Sequence, residues 1–235
     1  IINFKKYEKI LVVGGENSYY LSNAKKLVEN LLKNKNSKTF FKKNKLPEFI
    51  ELTKLIKEIK GFKPNLIIAI GGGAVIDLAK VANSLVYQNN LRKSIIFNKY
   101  KIKNFCELLA IPMTAGTGAE VTTNAVIYIN KIKYSVEGDP VKPKHMALFP
   151  ELVITNKNKI IITSSAFDSF AQSIESMFSR KSNNQSLIYS EKSIKLFLKN
   201  YKNFIKSKSL DSGYKMALAS YYSGKAISIS KTIAP

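Results

Sequence analysis

The sequence predicts an α/β domain built on a parallel sheet, followed by an all-helical domain. Three observations carry this. Short β-rich apolar runs alternate with helical patterns through the first half of the chain, and the strongest run, "PNLIIAIGGG", passes directly into a helical pattern. After Thr155 only helical periodicity remains. A repeated strand–helix order implies parallel strands joined by right-handed crossovers. With 235 residues, 45% of them hydrophobic, the chain can bury cores of this kind.

Taken in order, "KILVVGG" (Lys9–Gly15) reads as a buried strand. Residues 18–34 then place Leu21, Ala24, Leu27, Val28 and Leu31 at helical spacing. "KTFF" is a second, weaker strand, and residues 47–60 form a helix with proline in its first turn. Residues 66–70 are the third strand, continued by a helix through "AVIDLAKVANSLVYQ". Three helical segments, 164–180, 184–204 and 212–230, build the second domain. The domains are therefore set at 1–155 and 156–235, the second starting near Asn156. No repeat or low-complexity linker intervenes, so the junction is expected to be a packed cleft.

Composition narrows the function. One cysteine, Cys106, excludes an internal disulfide framework and a cysteine-based zinc site, and reads as a small buried apolar residue. No run of about 18 apolar residues and no signal-peptide pattern occur, which points to the cytoplasm and away from a membrane. The net charge of +22 raises the question of nucleic acid. Of the 38 basic residues, however, only Arg92 and Arg180 are arginine, and the lysines are spread along the chain. Bidentate guanine contacts and guanidinium stacking are then nearly absent, so no nucleic-acid partner is expected.

Two loops carry chemistry. Gly71, Gly72 and Gly73 follow a strand and open a helix, the arrangement that sets a phosphate against free N–H groups. They do not form the G-x-G-x-x-G dinucleotide pattern. In "AIPMTAGTGAEVT", Thr114, Thr117 and Thr122, with the backbone of Gly116 and Gly118, form a second loop of donors for phosphate, ribose or nicotinamide. Two such loops on one sheet suggest a dinucleotide.

These residues resemble the iron-containing, or group III, metal-dependent alcohol dehydrogenases, related in fold to glycerol dehydrogenase and dehydroquinate synthase. "GGGAVIDLAK", with Asp77 and Lys80, is similar to the family's G-G-G-S-x-x-D-x-x-K, with Ala74 at the serine position. "PMTAGTGAEVT" is similar to P-T-T-A-G-T-G-S-E-V-T, departing at Met113 and Ala119. The resemblance runs over essentially the whole chain and implies a Rossmann-like first domain and a helical metal-binding second one. It places Gly71, Gly72, Gly73, Ala74 and Val75 along the pyrophosphate. Met113, Thr114, Ala115, Gly116, Thr117 and Thr122 would touch the rest of the cofactor, and Lys133 the nicotinamide ribose. Gly14 and Gly15 fall on the adenosine side, with Asn44 beside them. No acidic residue stands there to hold a ribose 2′-OH, while Lys42 and Lys43 could favour a 2′-phosphate, so NADPH is preferred over NADH.

The resemblance also implies a divalent metal, Fe2+ or Zn2+. Its first two ligands would be Asp168 and, in place of the family's histidine, Gln172, one helical turn apart. Gln offers a neutral carbonyl oxygen, a weaker ligand than imidazole. The family's two further histidine ligands have no match before Pro235, so the chain reads as incomplete in its helical domain, and His145 matches no ligand position. No side chain is singled out as the catalytic proton donor. The implied reaction is hydride transfer between NAD(P)H and a small aldehyde or alcohol. The stretch after Gln172 looks most like the branch that reduces phosphonoacetaldehyde to 2-hydroxyethylphosphonate, and the protein is expected to be a homo-oligomer. Another alcohol substrate, a dehydroquinate-synthase-like lyase and a non-catalytic nucleotide-binding protein remain open.

Overall fold

The structure, a computed structural model, describes residues 3–155, 158–207 and 209–232. It divides into two compact units. The first comprises the chain up to Ile111 together with Thr123–Ala147; the second comprises Pro112–Thr122 and the chain from Leu148 onward. The boundary expected at Asn156 falls outside the described residues, and the division runs elsewhere. The loop 112–122 joins the helices because its glycines pack on them, a long-range contact that local pattern does not reveal.

In the first unit a five-stranded sheet has the order β2-β1-β3-β4-β7. Its strands are β1 (Lys9–Gly15), β2 (Asn36–Lys42), β3 (Leu66–Gly71), β4 (Glu107–Pro112) and the short β7 (His145–Met146). β1 pairs in parallel with both β2 and β3, and β4 in parallel with β7. All six residues of β3 are buried, as a strand covered on both faces requires. An antiparallel hairpin, β5 (Asn124–Ile129) and β6 (Ile132–Glu137), stands apart from this sheet. Its two-residue turn puts Asn130 at φ 51° and Lys131 at φ 65°, the left-handed pair of a type I′ hairpin.

Two expected helices are corrected. The helix expected over 18–34 is two, α1 (Glu16–Leu21) and α2 (Ala24–Leu31), because Ser22 is extended and its Oγ accepts the Ala24 N–H at 3.1 Å. Pro47 lies outside α3 (Phe49–Phe62), which starts after Glu48. The Pro47 carbonyl instead accepts the Tyr128 N–H of β5 at 2.8 Å. α4 (Gly73–Ser84) and α5 (Leu91–Ile96) complete the unit.

The second unit holds α6 (Pro150–Val153), α7 (Lys159–Phe178), α8 (Asn184–Ser207) and α9 (Leu210–Ser230). Asn158 starts α7 earlier than the periodicity suggests, its Oδ1 accepting the N–H groups of Ile160 and Ile161 at 3.0 and 3.2 Å. Small residues recur at helical spacing on the buried faces, Ser169, Ser173 and Ser176 on α7 and Ser186, Ser190 and Ser193 on α8. Several of their hydroxyls bond to a carbonyl of the preceding turn, as Ser173 Oγ does to Ser169 O at 2.8 Å, whereas the buried Oγ of Ser190 has no partner among the described residues.

At the amino ends of β4 and β7, Glu107 gathers the cations around it. Its Oε2 meets the Tyr7 hydroxyl, His145 Nε2 at 2.8 Å and Lys6 Nζ at 3.2 Å, while Lys144 Nζ holds Oε1. Lys144 first, then Tyr7 and His145, hold the Glu107 carboxyl well below the usual carboxylate range. This depression stabilises the fold above the ordinary carboxylate pKa and is lost as the pH falls below it. Glu107→Gln is therefore expected to lower stability at pH 7 and to make acid unfolding shallower, read by urea unfolding from pH 7 to pH 3.

Close backbone approach sets a second test. Gly118 has φ +61°, and a Cβ on Gly224 of α9 would lie 2.7 Å from Gly118 O. Gly224→Ala should destabilise the protein although alanine favours a helix by about 1 kcal/mol. Gly61→Ala in α3, where a Cβ meets nothing within 4 Å, should instead stabilise it by roughly that amount. Thermal unfolding of the two variants compares them directly.

Candidate functional site

In the first unit, the residues expected on the nucleotide gather at the carboxyl ends of β1 and β3, where Gly14 pairs with Ile70. Gly15 is the N-cap of α1 and Gly72 the N-cap of α4, and neither helix has a side-chain cap. A Cβ on Gly71 would come within 2.7 Å of Val75, so only glycine lets β3 turn into α4 here. A Cβ on Gly15 would stand 3.5 Å from the same Val75 side chain and 2.8 Å from Ser18 Oγ. The N–H groups of Val75 and Ile76 bond to the Gly72 carbonyl at 3.0 and 3.2 Å. The N–H groups of Gly73 and Ala74 belong to the first turn, which a helix cannot satisfy from within. Together with the helix dipole they make a place for an anion.

One turn further on, Asp77 and Lys80 pin α4 to the hairpin. Asp77 Oδ2 accepts the Val126 N–H at 3.1 Å, and the fully buried Lys80 donates its Nζ to the Asn124 carbonyl at 2.6 Å. Burial pushes the Asp77 carboxyl up to about 6, with the charge of Lys80, the Val126 bond and Lys133 pulling the other way. The sequence offered these two residues only as parts of a motif. Lys133 is exposed on β6, near enough to act on Asp77.

Beyond β2 the structure separates residues that looked alike. The buried ammonium of Lys42 donates to the carbonyls of Asn44 and Lys45, and burial lowers its pKa. Lys42 is therefore not open to a 2′-phosphate, which corrects that expectation; its own loop takes its donors. Lys43 is exposed, with Nζ 3.8 Å from Glu16 Oε1. Asn44 turns its Nδ2 to Glu48 Oε2 at 2.9 Å, and its N–H shares Glu51 Oε1 with that of Lys43.

In the second unit the loop 112–122 is less open than its composition suggests. The N–H groups of Gly116 and Gly118 both donate to Ser220 Oγ on α9, at 2.9 and 3.1 Å. They are not free donors for a ligand, and the expectation is corrected accordingly. A Cβ on Gly116 would come within 2.3 Å of the Ser165 carbonyl, so this glycine serves packing against α7. Ala115 lies in the helical core with Val153, Ile162 and Phe197. Thr122 is buried, its Oγ1 3.5 Å from the Ala119 carbonyl, and Met113 is buried too. Thr117 Oγ1 accepts the Ala119 N–H at 3.3 Å; Thr114 and Thr117 are half-buried.

Asp168 and Gln172 do meet on α7. Gln172 Nε2 donates to Asp168 Oδ2 at 3.1 Å, and Gln172 Oε1 accepts from Ser223 Oγ of α9 at 3.3 Å. The amide is thus engaged at both ends. Two oxygens alone do not make a metal site, and the described residues contain no group of three His, Cys, Asp or Glu that could hold an ion. Ser220 and Ser223 escaped the sequence reading. Their signal was the run of small residues Ser220, Ser223 and Gly224 at helical spacing in "SYYSGKA". His145 is held by Glu107, as a structural residue would be.

Residues 2–157 match the iron-containing alcohol dehydrogenases, and the chain belongs to that family. It is 30% identical over 156 residues to a 4-hydroxybutyrate dehydrogenase of Clostridium kluyveri, an alignment covering 66% of this chain and 41% of the relative. It is 26% identical over 189 residues to a phosphonoacetaldehyde reductase of Streptomyces viridochromogenes, covering 76% of this chain and 47% of the relative. In fold it is similar to the sulfoacetaldehyde reductase from Bifidobacterium kashiwanohense solved with NAD+, at a TM-score of 0.87 and 23% identity over 96% of this chain and 60% of that one. The chain spans less than half the length of these two curated relatives.

The buried Asp77 generates a test. A carboxyl whose folded pKa is raised from 3.8 to about 6 favours the folded state at lower pH. As the pH falls from about 6 to about 4, the native protein should gain stability relative to Asp77→Asn, which keeps an oxygen for the Val126 N–H. Paired urea unfolding across that range reads the difference; a flat difference contradicts the buried, proton-binding carboxyl.

Proposed function

We propose that the protein is an NAD(P)H-dependent oxidoreductase that interconverts a small aldehyde and its primary alcohol. The observation that carries this reading is the uncapped first turn of α4 behind Gly71 and Gly72, in a chain of the iron-containing alcohol dehydrogenase family. The dinucleotide fits the residues present: Gly71 excludes a Cβ, and Gly73 and Ala74 offer N–H groups to its pyrophosphate. When bound, its nicotinamide supplies the hydride for the carbonyl carbon. The chain's own part is positioning. Asp77 and Lys80 hold α4 in place, and Gly14 and Gly15 leave the end of β1 low beside it. Lys133 and the hydroxyls of Thr114 and Thr117 are the remaining polar groups assigned to the cofactor.

Of the two nicotinamide cofactors, NADPH is favoured by Lys43, the exposed cation just past β2, whose only ion-pair partner among the described residues is the half-exposed Glu16 that follows β1. Asp168 and Gln172 are proposed as two oxygen ligands of a divalent metal, iron or zinc. Because they bond to one another and do not suffice for an ion by themselves, the hydride-transfer reading rests on the nucleotide cradle. The substrate is proposed to carry an anionic head group, with phosphonoacetaldehyde as the first candidate. Two relatives are named for such compounds, a carboxylate in one case and a phosphonate in the other. A net charge of +22 would speed their encounter.

Ala74→Asp places a carboxylate in the first turn of α4, where it suits the helix but repels a phosphate. The affinity for NADH and NADPH is expected to fall at least tenfold while the melting temperature holds. Undiminished binding would sink the cradle. A panel of small aldehydes, phosphonoacetaldehyde included, assayed with each cofactor should show net NAD(P)H consumption. Phosphate release without net consumption would point to the lyase reaction instead.

A further inference from the structure

At the far end of α4 the first unit holds an open pocket of about 630 Å³, within the range of small-molecule sites. About 18 Å of helix separate it from Gly72. Its walls are the turn after α4, with Tyr87, and the segment after α5, with Lys99, Lys101 and Lys103. The three lysines alternate along irregular chain, and Ile102 between them turns the other way, toward Gly138. No carboxylate lines the cavity, and none of the three lysines forms an ion pair among the described residues. Glu137, whose N–H donates to the Tyr100 hydroxyl at the rim, turns its Oε1 to Ser135 Oγ at 3.0 Å.

The backbone that carries the lysines is held in advance. The N–H groups of Lys99 and Lys103 bond to the carbonyls of Ser94 and Ser84 at 2.8 and 3.0 Å, and that of Lys101 to Gln88 Oε1 at 3.1 Å. Asn83 clamps Cys106 from both sides, Nδ2 to its carbonyl at 3.0 Å and Oδ1 from its N–H at 3.1 Å. Tyr87 is 55% exposed, lies stacked on Phe105 at 5.9 Å, and has Lys103 Nζ 5.3 Å from its ring centre. A row of cations carried on a fixed backbone beside a half-exposed aromatic ring suits a ligand with a phosphate chain and a planar ring. The volume is that of a small-molecule site open to solvent on one side.

We propose that this cavity is a second ligand site, which takes a nucleoside polyphosphate with its phosphates on Lys99, Lys101 and Lys103 and its ring on Tyr87. The site is independent of the nucleotide reading at α4. The test uses ATP and inorganic tripolyphosphate as probes, by calorimetry on the full chain at low salt. Both should bind, ATP more tightly. Replacing Lys99, Lys101 and Lys103 together by Gln should weaken both at least tenfold, whereas the same replacement of Lys199, Lys202 and Lys206 on α8 should not. Tyr87→Ser should remove the advantage of ATP and leave tripolyphosphate unaffected. Repeated in the Ala74→Asp background, where the cradle at α4 no longer takes a phosphate, the titrations should still show a site that depends on the three lysines, which separates it from that cradle. Equal loss in the α8 control would show mere attraction to a basic protein and overturn the proposal. So would the absence of any lysine-dependent site in the Ala74→Asp background, indifference to the three lysines, or equal affinity for the two probes in the unaltered protein.

Discussion

An α-helix cannot satisfy its own first N–H groups, and at α4 the chain supplies no side chain to do so. Much of the first unit serves to keep that turn bare and fixed. β3 is buried along its whole length, so its end cannot drift, and Gly71 removes the one Cβ that would collide with Val75. Asp77 and Lys80 then bind the next turn to the backbone of β5. Both are costly to bury, and the cost is offset because each meets a backbone group of the hairpin. The anion site is thus a consequence of how sheet, helix and hairpin constrain one another.

The second unit uses polar atoms in the opposite way. Its threonines, serines and glycines look like a ligand cradle, yet many of their donors close on the protein itself. Ser220 takes two loop amides, Ser223 takes the Gln172 oxygen, and Ser173 takes a carbonyl one turn back. Small side chains let backbones come close, and most of these hydroxyls find a carbonyl or amide there, Ser190 Oγ being an exception. Asp168 and Gln172 are joined on α7 within this economy.

Charge is distributed with similar purpose. A chain with 38 basic and 16 acidic residues must place its carboxylates carefully. Glu107 collects Lys6, Lys144 and His145 at one end of the sheet, and Glu51 anchors the backbone of Lys43 and Asn44 at the other. Around the pocket beside Tyr87 three lysines form no ion pair among the described residues and stand instead beside a half-exposed aromatic ring, and it is this combination that marks the surface.

The first three strands with the helices that follow β2 and β3, the turn at Gly71–Gly73 and the placing of Asp168 and Gln172 one helical turn apart were legible in the sequence, while β4, β7 and the break between α1 and α2 were not. The legible features depend on periodicity or on residues close in the chain, where local geometry leaves little choice. The hairpin was legible too, through its two-residue Asn-Lys turn, but that signal is weaker than Asn-Gly and was passed over. Other features were decided only by tertiary structure. Whether the amides of Gly116 and Gly118 are open and which unit the loop 112–122 joins depend on partners about a hundred residues away, and Lys42 turns to the carbonyls of its own loop once the fold buries it. Sequence shows which donors and acceptors exist; only the packed chain determines where they are spent, because a buried polar group takes whatever partner the fold brings within about 3 Å.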